Sequence, residues 1–160
     1  MVKKIYLVEP QEDFVNTLER TFAYYIDEGK VIIKMCALSD TAGKCMVIRE
    51  KPGDILATIR MTFAGDTDLC QLDSLFSGET VNFIKADVEG HEMDLLRGAE
   101  GIIRRDRPRI AITVYHPENE WKDLRDYVCS IVPGYRWQLK GMVPWGKPLM
   151  LHMGVHDAAS

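Results

Sequence analysis

At 160 residues, with 46% apolar and 28% charged residues and a formal net charge of −4, the chain has the balance of a globular domain, not of a disordered or fibrous one. No basic footprint marks it for nucleic acid, and no apolar run approaches the roughly 18 residues that span a bilayer. The apolar run after Met1-Val2-Lys3-Lys4 is only Ile5 to Val8, too short for a signal-peptide core, so a cytoplasmic location is expected.

Ile5-Tyr6-Leu7-Val8, closed by Glu9-Pro10, predicts a buried strand. A helix is predicted from about Gln11 to Glu28, with Phe14, Leu18, Phe22 and Tyr25 on one face. Glu12 and Asp13 suit its first turn and Gly29 its end. Val31 to Cys36 predicts a second strand. Cys45 to Arg49 predicts a third, after the turn signal Asp40-Thr41-Ala42-Gly43. Glu50 to Asp68 holds no steady period and reads as loop with one edge strand at most, while Leu69 to Leu75 fits either a strand or a short helical turn.

Val81 to Ala86 predicts a further buried strand, followed by a helix from Glu92 to Arg104 with Leu95, Leu96, Ala99, Ile102 and Ile103 on one face. The basic run from Arg104 to Arg107 reads as a solvated helix end. Arg109 to Tyr115 is apolar and β-branched, hence a strand. Glu118 to Ile131 fits a helix carried by Trp121, Leu124, Val128 and Ile131. Tyr135 to Lys140 and Leu149 to Met153 close the chain as two strands. Met142, Met150 and Met153 read as core filler, and Trp137 and Trp145 either pack or line an acceptor pocket.

Strands alternating with amphipathic helices predict an α/β fold with a mostly parallel sheet and an antiparallel C-terminal edge, as a single domain over residues 1–160. The scattered Cys36, Cys45, Cys70 and Cys129 form no Cys-x-x-Cys pair, so neither a disulfide scaffold nor a structural zinc is expected. No metal ligand set is assigned.

Ligands of open α/β sheets bind at the carboxyl ends of the strands. Glu9 stands at such an end. It either accepts hydrogen bonds from a ribose diol or only caps the helix that follows. Asp87-Val88-Glu89-Gly90-His91-Glu92 crowds ionisable groups after a strand, with Gly90 permitting a tight turn. These groups could orient an ammonium, bind a divalent ion or act as a base. Asp87 reads as functional, His91 as undecided, and Glu92 as a stabiliser of the helix N-terminus. Tyr115-His116 would lie beside Asp87 if their strands are neighbours.

Taken together, the pieces resemble the FkbM family of methyltransferases. They are Val8-Glu9-Pro10, Ala37-Leu38-Ser39-Asp40 with Gly43, Leu72-Asp73-Ser74-Leu75, the stretch from Phe83 to Glu92, Leu95 to Ala99, Arg107-Pro108, Ala111 to His116 and Pro133-Gly134-Tyr135. The resemblance implies a Rossmann-like sandwich and methyl transfer from S-adenosylmethionine, usually to oxygen. The Tyr115-His116 pair looks like a branch linked to sugar or polysaccharide modification. By the same resemblance Glu9 holds the ribose, Ala37, Leu38 and Ser39 lie by the adenine, and Asp87 with Glu89 lines the methionine end or the acceptor. Asp87 with His91 or His116 would position or deprotonate a hydroxyl.

One departure is expected to matter. The family opens with a strand and an Asp-x-Gly-Ala type turn, and only four residues precede Ile5. The first βα unit is therefore expected to be missing, with a longer or split chain, a closed gap, or a second subunit or complementing N-terminal segment making it good. A small-molecule or glycan acceptor is expected. The rival readings are a non-catalytic methyltransferase-derived domain and a nicotinamide oxidoreductase, the latter weakened because no Gly-x-Gly-x-x-Gly occurs.

Overall fold

The computed structural model describes residues 3–49, 57–60, 65–118, 120–144 and 146–155, with only the backbone described for 47–49 and 57–60. Trp145 and most of the predicted loop between Glu50 and Asp68 lie outside these residues. The chain is an α/β fold with mixed sheets that forms two compact units, Met1–Cys70 and Gln71–Ser160. Among the described residues no helix is long and apolar enough to cross a membrane.

In the first unit, β1 (Ile5–Val8) and β2 (Val31–Lys34) pair in parallel and are joined by α1 (Glu12–Asp27). The α1 stripe is Phe14, Val15, Leu18, Phe22 and Ile26, and Val15 is its fully buried member. Tyr25, predicted on this face, is 49% exposed. Repeating steps of four carry the stripe on to Ile26 and rotate Tyr25 toward water. The helix stops at Gly29, whose φ of +67° suits a residue without Cβ. β1 is half-buried instead of buried, with Ile5 46% exposed.

A second sheet of this unit runs in the order β3 (Ala37–Leu38), β6 (Thr67–Cys70), β4 (Gly43–Arg49), β5 (Ala57–Arg60). β3 is parallel to β6, and β4 is antiparallel to both β6 and β5. Ala37, Cys45 and Leu69 form its buried core.

The second unit opens with α2 (Leu72–Leu75), so the ambiguous Leu69 to Leu75 is the end of a strand followed by a helical turn. Its sheet has the order β7 (Phe83–Ala86), β8 (Arg109–Thr113), β10 (Pro148–Val155), β9 (Tyr135–Met142). β7 and β8 are parallel, and β10 runs antiparallel to β8 and β9. β7 buries only Ile84 and Ala86, while Phe83 and Lys85 face out. β8 is buried from Ile110 to Thr113 and so reads as a continuous apolar run.

The predicted helix after Glu92 is two helices, α3 (Glu92–Arg97) and α4 (Glu100–Asp106). At the break, Gly98 O accepts the Asp73 N–H, and the Asp73 carboxylate accepts the N–H groups of Gly101 and Ile102, each at 2.8 Å. The stripe Leu95, Leu96, Ala99, Ile102 and Ile103 is fully buried across both pieces. α5 (Trp121–Ile131) adds Leu124, Val128 and Ile131. Trp121 is half-buried. It lies beside Trp137 at 5.3 Å between ring centroids, and the Arg125 guanidinium sits over both rings.

Three smaller expectations change. Met142 is 73% exposed and fills no core, whereas Met153 is buried. Arg104 and Arg105 are tied down by Glu100, Asp106 and the carbonyls of Ile131 and Glu79. Arg107 ends α4 in the left-handed region at φ 49°. All four cysteines are free; Cys36 and Cys45 are buried and Cys70 and Cys129 half-buried.

Candidate active site

The register of β7 and β8 places Ala86 beside Ile112, so the residues that leave both strands emerge at one carboxyl end. Asp87 follows β7, and Thr113, Tyr115 and His116 finish β8 or follow it. Between β7 and α3 the chain turns through Glu89 at φ 51° and Gly90 at φ 96°, closed by a bond from His91 N–H to Val88 O. A left-handed glutamate is uncommon, and such strain gathers at functional turns. The turn brings Glu92, at the start of α3, beneath the end of β8.

His116 is the hub. Its Nδ1 lies 2.7 Å from Glu92 Oε1, and both residues are buried, Glu92 completely. Its Nε2 faces Glu89 Oε2 at 3.4 Å and Asp87 Oδ1 at 3.8 Å. These are ion-pair distances without hydrogen-bond alignment, so among the described residues this buried nitrogen has no hydrogen-bond partner. Thr113 Oγ1 donates to Asp87 Oδ1 at 3.0 Å and touches Glu92 Oε1 at 3.3 Å. The Tyr115 hydroxyl lies 3.4 Å from both Asp87 oxygens, and its ring packs 4.2 Å from that of His116.

The electrostatics follow from this crowding. Burial alone pushes the Glu92 carboxyl up, but the hydrogen bond with His116 and the backbone bonds outweigh it, so the group is held below the usual carboxylate range. Burial works against a charged His116, yet the bond to Glu92 and the charges of Glu92, Glu89 and Asp87 prevail and raise it. Burial raises Glu89, with His116 opposing and Asp87 and Glu92 adding. Burial and the Asp87 charge push the Tyr115 phenol up to about 12. The arrangement can hold a cation, or orient and deprotonate a hydroxyl.

Of the residues singled out from sequence, the structure brings together Asp87, Glu89 and His116. His91 pairs through Nδ1 with Asp94 at 3.2 Å, across the first turn of α3. Glu92, read as a helix-end stabiliser, stands in the first turn of α3 and accepts the Gly90 N–H, and it is also the buried partner of His116; Thr113 was not singled out at all. Strand alternation marks Thr113: it sits on the same face of β8 as Ala111, pointing where Asp87 emerges.

In the first unit, Glu9 stands at the carboxyl end of β1, half-buried, its N–H bonded to Lys34 O and its Oε1 accepting the Gln11 N–H at 2.9 Å. Beside it lies an open cleft of about 530 Å³ lined by Pro10, Gln11, Glu12, Asp13, Met35 and Asp66 among others. Ala37 and Ser39 are buried and Leu38 half-buried. Ser39 N–H bonds Cys70 O, and Ser39 Oγ accepts the Thr41 N–H at 3.4 Å.

Comparison with known proteins gives two findings. The profile of the methyltransferase FkbM domain matches residues 1–136. A crystal structure of methyltransferase FkbM from Methylobacillus flagellatus KT is similar in fold, with a TM-score of 0.73 and 24% identity, covering 94% of this chain and 36% of that one. The chain thus spans about a third of the length of that solved structure, by the same 36%. No curated protein matches the sequence.

Proposed function

This chain belongs to the FkbM methyltransferase domain family, and from that we propose that it serves an S-adenosylmethionine-dependent methyltransferase that methylates a hydroxyl of a sugar, polysaccharide or related metabolite. Methyl transfer in general follows from the family. The cofactor, the oxygen acceptor and the residue roles are our reading.

The connections within each unit support a Rossmann-like arrangement. β1–α1–β2 is a parallel crossover, β7 and β8 are parallel with α3 and α4 between them, and the acidic residues stand at carboxyl ends. The chain's own groups suit the cofactor. Glu9 offers a half-buried carboxylate at a strand end, and a carboxylate accepts several hydrogen bonds, enough for both hydroxyls of a ribose as well as the Gln11 N–H. Ala37, Leu38 and Ser39 would line the adenine, and Asp87 with Glu89 would face the cationic end or the acceptor. When bound, S-adenosylmethionine supplies a methyl group on a positively charged sulfur.

The observation that carries the mechanism is Asp87, fixed by Thr113 and Tyr115 and facing His116. Two donors hold its carboxylate in one orientation, so Asp87 would hold and orient a substrate hydroxyl that donates to it. Asp87 or His116 would take the proton of that hydroxyl as its oxygen accepts the methyl group. Tyr115 bounds the acceptor side, and His91 is kept as an alternative proton carrier.

The test is turnover of the full-length enzyme with a hydroxylated acceptor. Asp87→Asn keeps the shape and removes the charge, and should lower kcat by about 100-fold or more, the range of general acid–base and positioning effects. Unchanged kcat in Asp87→Asn would remove the residue from the mechanism. A methyltransferase-derived domain without activity remains the second reading, favoured only if the cofactor does not bind.

A further inference from the structure

The cluster that faces His116 is more negative than a histidine can balance. Asp87, Glu89 and Glu92 all lie within ion-pair distance of one imidazole, and even a protonated ring leaves the group net negative. Burying unbalanced charge is costly. Against this stands the ring nitrogen Nε2, sealed from solvent and without a hydrogen-bond partner among the described residues, on a side chain only 8% exposed. An unpaired buried nitrogen aimed into a group of carboxylates asks for a ligand that is positive and that nitrogen can coordinate.

We propose that Asp87, Glu89 and His116 form a binding site for one divalent transition-metal ion, with Glu92 orienting the histidine. The distances suit it. Ligand bonds of about 2.0–2.2 Å put neighbouring ligand atoms roughly 3.0–3.5 Å apart. His116 Nε2 is 3.4 Å from Glu89 Oε2 and 3.8 Å from Asp87 Oδ1, so both carboxylates already stand near ligand spacing from that nitrogen. Among the described residues, one oxygen of Asp87, one of Glu92 and a ring nitrogen of His116 already lie within 4.8 Å of one another, and the part-exposed Glu89 would turn further toward Asp87 to complete the shell.

The second layer fits as well. Metal-bound histidines commonly donate their other ring N–H to a carboxylate, which fixes the tautomer and the ring orientation. Glu92, fully buried and 2.7 Å from Nδ1, is that carboxylate. Thr113 and Tyr115 hold Asp87 in the same way. One imidazole with two carboxylates favours ions such as Mn²⁺, Co²⁺ or Zn²⁺ over Ca²⁺ or Mg²⁺, which prefer an all-oxygen shell. Asp87 and Glu89 are 40% and 36% exposed, so positions toward solvent stay open for water or a substrate oxygen.

In the methyl-transfer reading, on which this further role rests, the ion holds the acceptor oxygen and eases loss of its proton, and His116 is then a ligand and not a base. Binding of the ion itself does not depend on that reading.

Mn²⁺ is the appropriate probe, because the free thiols compete for softer ions. Purified, untagged full-length protein is titrated with MnCl₂, and free Mn²⁺ is read by electron paramagnetic resonance. The expected result is one tightly bound ion per chain, weakened at least tenfold by Asp87→Asn and roughly 10–100-fold by Glu92→Gln. Should the buried Glu92 variant fail to fold, Asp87→Asn decides alone, since Asp87 is partly exposed and its variant is checked by circular dichroism. No Mn²⁺ binding at millimolar concentration, or equal binding by folded Asp87→Asn, overturns the site. Methyl transfer that persists undiminished in strong chelator, with no Mn²⁺ bound, would sink the metal and leave the methyltransferase. Mn²⁺ bound without any turnover would do the reverse.

Discussion

Glu92 shows how one residue can carry two signals. In the sequence it is an acid in the first turn of a helix, the usual complement to the helix dipole. In the structure its carboxylate is wholly buried and bonded to a histidine 24 positions away. Nothing local distinguishes the two roles, because the partner arrives only when β8 pairs with β7. Asp87 was legible for the opposite reason: it directly follows a strand, and its place follows from the strand alone. Glu92→Ala should lower stability by about 3–5 kcal/mol, as when one member of a buried pair is removed. Glu92→Gln, which still accepts from Nδ1, should lose clearly less. Urea unfolding measures both, and equal losses would mean that the His116 contact contributes little. Gly90 makes a backbone prediction. At φ +96° an added Cβ would also come within 2.8 Å of Glu118 Oε2. Glu118 is exposed and can move, so the main cost is the backbone, about 1–3 kcal/mol for Gly90→Ala. Gly29, with φ +67° and nothing within 4 Å, should lose only about 1–2 kcal/mol on the same change. Thermal unfolding of the two variants compares them.

At the scale of elements, hydrophobic period was a good guide wherever a stripe met one partner. It located α1, α5 and every strand of the second unit to within a few residues. It did not show that the helix after Glu92 is broken, because Leu95, Leu96, Ala99, Ile102 and Ile103 continue one buried face through the break. The break is made from outside. Asp73, on the short α2, caps the first turn of α4 from 28 positions away with both carboxylate oxygens. The Leu72-Asp73-Ser74-Leu75 piece thus has a structural task in this chain. Asp73→Ala should lower stability by about 1–2 kcal/mol, the scale of a lost helix cap, and Asp73→Asn by less. Asp106 serves the other end of α4. Its Oδ2 accepts the Val81 N–H at 2.9 Å, and the Arg105 guanidinium holds its carboxyl below the usual range. A depressed folded pKa means that the unfolded chain binds the proton more readily in acid. The contribution is therefore complete above the unfolded value of about 4 and is lost as the pH falls through the folded value. Wild type should lose stability more steeply than Asp106→Asn on acidification below about pH 4, which denaturation curves at stepped pH would show.

For the molecule as a whole, the α/β character and the family were legible because they rest on strands, helices and turns repeated along most of the chain. The match over residues 1–136 spans the whole of the first compact unit and most of the second. The division into two units was not legible, since no Pro, Gly or Ser-rich linker marks Cys70 and the chain passes straight from strand to helix there. The acceptor also stays out of reach of sequence, because fold and family set the transferred group far more than the shape of its destination. Cofactor binding is the property on which the methyl-transfer reading turns. Equilibrium dialysis of the full-length protein against radiolabelled S-adenosylmethionine tests it most directly, with Glu9→Ala beside wild type. Hydrogen bonds to a charged acceptor contribute about 1.5–3 kcal/mol, so the variant should bind roughly 10–100-fold more weakly than a wild type that binds one equivalent. Wild type that retains no label at millimolar cofactor would contradict methyl transfer and leave a binding domain of methyltransferase descent.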